Sequence, residues 1–195
     1  MKKQEKILSE IQTIWFEDGH LSLGQSSYLI DLLSNLNPKF CLEIGFAGGR
    51  HASTLLHSCR PIKVFSIDID FNYANGREYV DKFKKKFNTI EFYESNSNSI
   101  LTEEFMKNNF PNGLDYVFVD GGHSYEECLA DMKNCFKFLN ENGIMLIDDY
   151  NSGPPIGIEI EGVDKAVDNF INENDVYFEK IKLSDGKGMM KIKRK

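Results

Sequence analysis

Residues 114–150 read LDYVFVDGGHSYEECLADMKNCFKFLNENGIMLIDDY, and this stretch decides the fold. Leu114 to Val119 is a mostly apolar run that ends abruptly in Asp120-Gly121-Gly122-His123. Ser124 and Glu127 have capping-box spacing, which satisfies the free amides of a helix start, so a helix is expected from Ser124. Tyr125, Cys128, Leu129, Met132, Cys135, Phe136 and Leu139 then recur at helical period. Asn142-Gly143 stops that pattern. Ile144 to Ile147 opens another apolar run, which ends in Asp148-Asp149. Apolar strands on either side of a helix imply a parallel pair, buried on both faces and joined by a right-handed crossover.

The same alternation extends in both directions. Upstream lie a strand from Phe40 to Gly45, a turn at Gly48-Gly49 and a helix through Thr54, Leu55 and Leu56. A second strand, Ile62 to Ile67, ends in Asp68. Asn72 is placed to cap a helix striped with Val80, Phe83 and Phe87. A third strand, Ile90 to Tyr93, runs into the polar stretch Ser95 to Ser99, and a short helix leads to Pro111-Asn112-Gly113. Before these come an amphipathic helix from Lys3 to Phe16 and one from Gln25 to Leu36, which Asn37-Pro38 ends. After Gly162, Val163, Ala166, Val167, Phe170 and Ile171 mark a last helix. A hairpin follows, Val176 to Leu183 and Gly188 to Lys193 about Asp185-Gly186. The expected class is α/β: a doubly wound, mostly parallel seven-stranded sheet, helices on both faces, and a C-terminal antiparallel hairpin. Residues 1–37 are read as an N-terminal helical cap, and 38–195 as one compact unit.

Composition narrows the partners. The 195 residues suit one domain. The 23 Lys+Arg against 30 Asp+Glu leave a net charge of −7, so the basic footprint of a general nucleic-acid binder is missing. No apolar run approaches the ~18–20 residues that span a bilayer. MKKQEKILSE leads into no sustained apolar core, so no signal peptide is read. Cys41, Cys59, Cys128 and Cys135 form no C-x-x-C pair and read as buried reduced thiols. The chain is expected to be cytoplasmic, with neither nucleic acid nor membrane as partner. Its first helix, ending in Trp15-Phe16, reads as core, as a lid, or as a homodimer surface.

In open parallel sheets, ligands bind beyond the carboxyl ends of the strands. Gly45, Asp68, Asn96, Asp120 and Asp148 occupy five such ends, so all five signals should fall along one rim. In Glu43-Ile44-Gly45-Phe46-Ala47-Gly48-Gly49 the glycines permit a tight turn and close approach of a ligand. The strict G-x-G-x-x-G is absent, which speaks against a nicotinamide cofactor. Asp68 is placed to accept two hydrogen bonds from a ribose diol. Asn96 and Ser97 fall within reach of an adenine edge.

These residues carry a resemblance. Glu43-Ile44-Gly45-x-x-Gly48-Gly49 looks like the first motif of the class I S-adenosylmethionine-dependent methyltransferases. Asp68 matches their ribose-binding acid, Asn96 their adenine-side position, and the hairpin their antiparallel last strands. VDGGHSYEECLADM and GIMLIDDY are similar to the small O-methyltransferase branch that includes macrolide-sugar and catechol-type enzymes. The resemblance spans roughly residues 20–195. Arg50-His51 departs from it, where a small residue or serine is expected.

The resemblance implies O-methylation of a small hydroxylated acceptor. In the cation-dependent branch the positions matching Asp120, Asp148 and Asp149 hold the metal, implying Mg²⁺ here. Three carboxylates on one edge repel without a cation, which agrees. Asp120 and His123 are the expected catalytic residues, His123 taking the acceptor proton because imidazole titrates near neutrality. Tyr150 and Gly153-Pro154-Pro155 are expected to cover the acceptor. His20, His51 and His57 carry no comparable context, and Lys84-Lys85-Lys86 and the tail KIKRK read as solvated charge. Two rivals remain: a nicotinamide-dependent oxidoreductase on the same layers, and a non-catalytic domain that binds the cofactor or a partner.

Overall fold

The structure, a computed structural model, describes residues 3–12, 21–151 and 161–195. Five parallel strands, β1 (Phe40–Ile44), β2 (Lys63–Asp68), β3 (Ile90–Glu94), β4 (Leu114–Val119) and β5 (Leu139–Ile147), precede the hairpin β6 (Val176–Lys182) and β7 (Gly188–Arg194). They form one seven-stranded sheet in the order β3-β2-β1-β4-β5-β7-β6, with β7 antiparallel to both neighbours. The helices are α1 (Lys3–Gln12), α2 (Leu23–Leu36), α3 (Arg50–Ser58), α4 (Gly76–Lys86), α5 (Ser97–Ile100), α6 (Glu103–Asn109), α7 (Tyr125–Phe136) and α8 (Glu161–Glu173). The expected fold class is borne out.

Strand alternation divides the core into two layers. Leu42, Ile44, Phe65, Val117, Val119 and Met145 face α7 and α8. Cys41, Val64, Tyr116, Phe118 and Leu146 face the other way, toward Leu29 and Leu33 of α2, Leu55 of α3 and Phe83 of α4. Both faces of the central strands are thus apolar, which is why the runs show no polar alternation. Each large side chain buried there contributes about 1.5–3 kcal/mol. All four cysteines are free and buried, as expected.

Local signals account for most boundaries. Asn37 adopts a left-handed conformation (φ 46°) at the end of α2, just before Pro38. The helix starts two residues earlier than expected, because Ser22 caps it. Gln25 N donates to Ser22 Oγ at 3.0 Å and Ser22 N to Gln25 Oε1 at 2.8 Å. Ser124 caps α7 as read, accepting from Glu127 N. Two readings need correction. α7 stops at Phe136, and Leu139 begins β5 opposite Leu114 instead of continuing the helical stripe. Asn72 precedes a 3-10 turn over Tyr73–Asn75 and makes no side-chain cap, so α4 starts at Gly76. The tail is also more than solvated charge. Ile192 is fully buried, and Arg194 donates to Leu139 O at 2.6 Å and to Phe136 O. Residues 13–16, with Trp15 and Phe16, lie outside the described residues, as do His20 and Gly153-Pro154-Pro155.

Candidate active site

Parallel register brings the strand ends level. Ile44 pairs with Ile67 on one side and Val119 on the other, and Val119 pairs with Ile147. Beyond these residues opens a cleft of about 340 Å³, lined by Gly45, Asp68, Asn96, Ser97, Asp120 and His123 among others. That volume lies in the ~300–1,000 Å³ range of small-molecule sites. The structure therefore gathers these predicted site residues around one space. Glu43, Gly48, Gly49, Asp148 and Asp149 are not among its lining residues.

The glycine loop is held by its neighbours. Gly45 has φ +88°, and a Cβ there would collide with the backbone of Asp120. Only glycine lets the ends of β1 and β4 approach so closely. Asp68 Oδ2 accepts from Phe46 N at 2.7 Å and Ala47 N at 3.0 Å, while Oδ1 accepts from Asp70 N at 3.0 Å. Its carboxylate thus orders the loop as well as facing the cleft. Asp70 is exposed and engages Asn72. Gly49, at φ +77°, packs against Phe46 and Phe83 and serves the turn itself.

Glu43 is fully buried, its carboxylate taken by His51 Nδ1 at 2.7 Å and by Ser66 Oγ. His51 reaches Tyr116 Oη at 3.0 Å through Nε2 and stacks on Phe118 at 3.8 Å between centroids. The departure at Arg50-His51 is thereby explained. Arg50 donates to Leu21 O, and His51 ties α3 to β1 and β4 beneath the loop. Sequence reasoning gave His51 no role. The available signal was Glu43 itself, since an acid inside an apolar strand requires a buried partner.

Beyond β3, Asn96 Oδ1 accepts from Asn98 N at 2.9 Å and caps α5. Ser97 Oγ donates to Asp131 Oδ1 at 2.7 Å. At the other side the acids separate. Asp149 has φ +60°, a left-handed turn that sends Asp148 and Asp149 in different directions. Asp148 Oδ1 accepts from Gln25 Nε2 at 2.5 Å and Asp149 N at 2.8 Å. Asp149 Oδ2 instead lies 3.0 Å from His123 Nε2, with Lys187 Nζ 3.9 Å from Oδ1. Donor atoms of Asp120, His123 and Asp149 all fall within 4.8 Å of one another. Of the three acids expected to hold a metal, Asp120 and Asp149 belong to this group together with His123, and Asp148 lies outside it. Gln25 was also missed; its capping box was visible in sequence, its contact with an acid 123 residues away was not.

Electrostatics follow from this crowding. Burial, then Asp148 and Asp149, push the Asp120 carboxyl well above its ordinary value. Burial, then Asp149, push Asp148 up to about 7. Burial also acts upward on Asp149, but the hydrogen bond and charge of His123, with Lys187, outweigh it and its value is lowered. His123 is raised, chiefly by the hydrogen bond to Asp149. Tyr150, expected over the acceptor, is only 2% exposed, and its hydroxyl donates to Asp168 at 2.8 Å.

Residues 42–150, more than half of the chain, match a family model described as a methyltransferase domain. The chain belongs to this methyltransferase domain family. The domain is 27% identical over 134 residues to the rhamnosyl O-methyltransferase of Mycobacterium tuberculosis H37Rv, a match covering 65% of this chain and 52% of that protein. It is 28% identical over 115 residues to an uncharacterized protein of Acanthamoeba polyphaga mimivirus, covering 56% and 50%. The chain spans about half the length of the curated relatives it matches. Among solved structures, an O-methyltransferase from Bacillus cereus in complex with SAH superposes with a TM-score of 0.73 at 16% identity, covering 100% of this chain and 91% of that one. TomG from Streptomyces achromogenes, in complex with SAM, gives 0.71 at 16%, covering 100% and 90%. These likenesses show the class I methyltransferase fold. No helix among the described residues is long and apolar enough to cross a membrane.

Proposed function

We propose that this methyltransferase domain transfers the methyl group of S-adenosylmethionine to a hydroxyl of a small acceptor, with help from a divalent cation. The observation that carries the reading is the single cleft shared by Gly45, Asp68, Asn96, Ser97, Asp120 and His123. Family membership and the named activity of the mycobacterial relatives support oxygen as the acceptor atom, and a sugar hydroxyl as its first candidate. When bound, the sulfonium donor supplies an electrophilic methyl group. A hard cation, when bound, lowers the pKa of a hydroxyl and fixes its direction.

The residues fit both groups. The Gly45 turn brings the ends of β1 and β4 together at the cleft, and Asp68 lines it on the side of the ribose position. Asp120 and Asp149 offer carboxylate oxygens suited to Mg²⁺. His123 holds Nε2 toward Asp149, leaving Nδ1 to receive a proton from the acceptor. The reaction demands alignment more than covalent chemistry, and a rigid rim supplies it. The acidic surface and the cleft's size favour a small acceptor over nucleic acid. The missing G-x-G-x-x-G continues to disfavour a nicotinamide reading.

Mass spectrometry with isotopically labelled S-adenosylmethionine tests this against a panel of rhamnosides, other sugars and catechols. Labelled O-methyl product is expected, abolished by chelator and by Asp120→Asn while donor affinity is kept. Turnover indifferent to chelator removes the cation, and absence of donor binding removes the whole reading.

A further inference from the structure

The hydrogen bonds of the sheet stop short of the pair to which the proposed proton transfer falls. Asp120 N donates to Ile44 O at 2.8 Å and Asp148 N to Val119 O at 3.0 Å. Among the described residues these are the last backbone bonds that β4 and β5 make at the rim. His123 and Asp149 lie beyond them, yet Nε2 of one stands 3.0 Å from Oδ2 of the other. Asp149 and Asn151 both have left-handed φ, 60° and 56°, on either side of Tyr150. Backbone of this kind persists only where its surroundings over-determine it.

Helix α8 supplies what the sheet does not. Its first turn runs against the turn that carries His123. A Cβ on Gly162 would stand 2.7 Å from Tyr125 N and 2.9 Å from the Ser124 carbonyl carbon, and closer still to the His123 carbonyl oxygen. All three are backbone atoms, which cannot swing aside as a side chain can. Gly162 lies outside the left-handed region, so the close approach, and not its φ, is what requires glycine. Further along, the helix holds the other limb. Asp164 Oδ1 accepts from Asn151 N at 2.8 Å, and Asp168 Oδ1 from Tyr150 Oη at 2.8 Å. Four residues apart, these two acids share one face of α8. Val163, Ala166, Val167 and Phe170 fix the helix in the core, so one anchored element reaches both sides of the His123–Asp149 contact.

We propose that the first two turns of α8 set the distance between His123 and Asp149. Gly162, Asp164 and Asp168 are positioning residues: the first seats the His123 turn, and the other two hold the limb that leaves Asp149. The assignment rests on the reading of His123 as the group that takes the acceptor proton, and adds what keeps its imidazole aimed.

Histidine-ring NMR of the isotope-labelled intact chain, at one fixed pH, tests it. Asp149→Asn marks where the His123 Nε2 signal goes when its partner loses its charge. Asp168→Ala, at an exposed position, should move the signal part of the way to that mark. Tyr150→Phe removes the same bond from its other end and should do likewise, and the double variant should move it no further than either alone. Asp168→Asn keeps an oxygen for the tyrosine hydroxyl and should restore the wild-type signal. Gly162→Ala should shift it by driving the His123 turn away. Val167→Ala opens space on the buried side of the same helix and removes none of these bonds; it should lower the melting temperature and leave the signal in place. In the labelled-methyl assay Asp168→Ala and Gly162→Ala should lose at least about tenfold in turnover at unchanged affinity for S-adenosylhomocysteine. Should Gly162→Ala not fold, the two Asp168 variants decide alone. A signal unmoved in folded Asp168→Ala, or moved as far by Val167→Ala, overturns the assignment. If Asp149→Asn itself leaves the signal at the wild-type position, the His123–Asp149 contact is absent and the proton-transfer reading falls with it; if that variant shifts the signal and only the α8 variants fail, the role of α8 alone is wrong.

Discussion

Gly45→Ala should be far more damaging than its surface cousin Gly186→Ala, and the difference measures how tightly the rim is closed. Both residues have left-handed φ, +88° and +85°. Giving either a side chain therefore costs about 1–2 kcal/mol in backbone strain. Around Gly186 nothing lies within 4 Å, so that term stands alone. A Cβ on Gly45 would lie 2.5 Å from the Asp120 carbonyl carbon and 3.2 Å from Gly121 N, closer still to the Asp120 carbonyl oxygen. That overlap forces the ends of β1 and β4 apart, against the bond from Asp120 N to Ile44 O at 2.8 Å. Overpacking of this kind adds about 1–3 kcal/mol, for a total of about 2–5 kcal/mol. Urea unfolding of both variants against wild type reads the difference. In folded Gly45→Ala protein, a shift of Asp120 by roughly 1 Å should lower turnover by about 100-fold. Equal destabilisation of the two variants would refute the close approach, and with it the claim that the glycine loop and Asp120 are one rigid unit.

Asp68→Ala should weaken S-adenosylmethionine binding by about 1–3 kcal/mol in calorimetry, the range for hydrogen bonds to a charged group; unchanged affinity removes Asp68 from the ribose. Asp131→Asn should flatten part of the pH dependence of stability. A carboxyl raised from 3.8 to about 6 in the folded state stabilises most below the unfolded value, and that advantage fades as pH rises through about 6. The variant should therefore gain on wild type by about 3 kcal/mol between pH 4 and 7, at roughly 1.4 kcal/mol per pKa unit; a constant difference in denaturant titrations argues against the burial. His123 is raised by Asp149, so turnover limited by its neutral form should climb on the alkaline side of the ordinary imidazole range. His123→Ala should abolish that limb, and in Asp149→Asn, where the cation reading expects turnover to fall, the His123 titration followed by NMR should move toward acid; an unchanged profile in His123→Ala demotes His123.

The two halves of the site were unequally legible, for a physical reason. The part around Gly45 and Asp68 is built by backbone. Gly45 turns because its φ is +88°, Asp68 follows a strand, and parallel register brings Gly45, Asp68 and Asp120 level whatever the side chains between them. Such features leave local traces, because a glycine, an apolar run or a capping serine acts within a few residues of itself. The part around His123, Asp148 and Asp149 is built by pairings across the chain. Nothing near Asp148 in sequence announces Gln25, and nothing near His51 announces Tyr116. The split of Asp148 from Asp149 hangs on one left-handed residue that is not glycine. The same limit explains the misread end of α7, since Leu139 keeps helical spacing from Phe136 while pairing with Leu114. The evident acids were found as a set. Their division into a pair near His123 and a strut held by Gln25 was not, because it depends on which acid a distant glutamine reaches first. Gln25 already spends its oxygen on the cap of α2, so its amide N–H₂ is what remains to hold Asp148. One helix start thereby fixes which carboxylate is left to face His123.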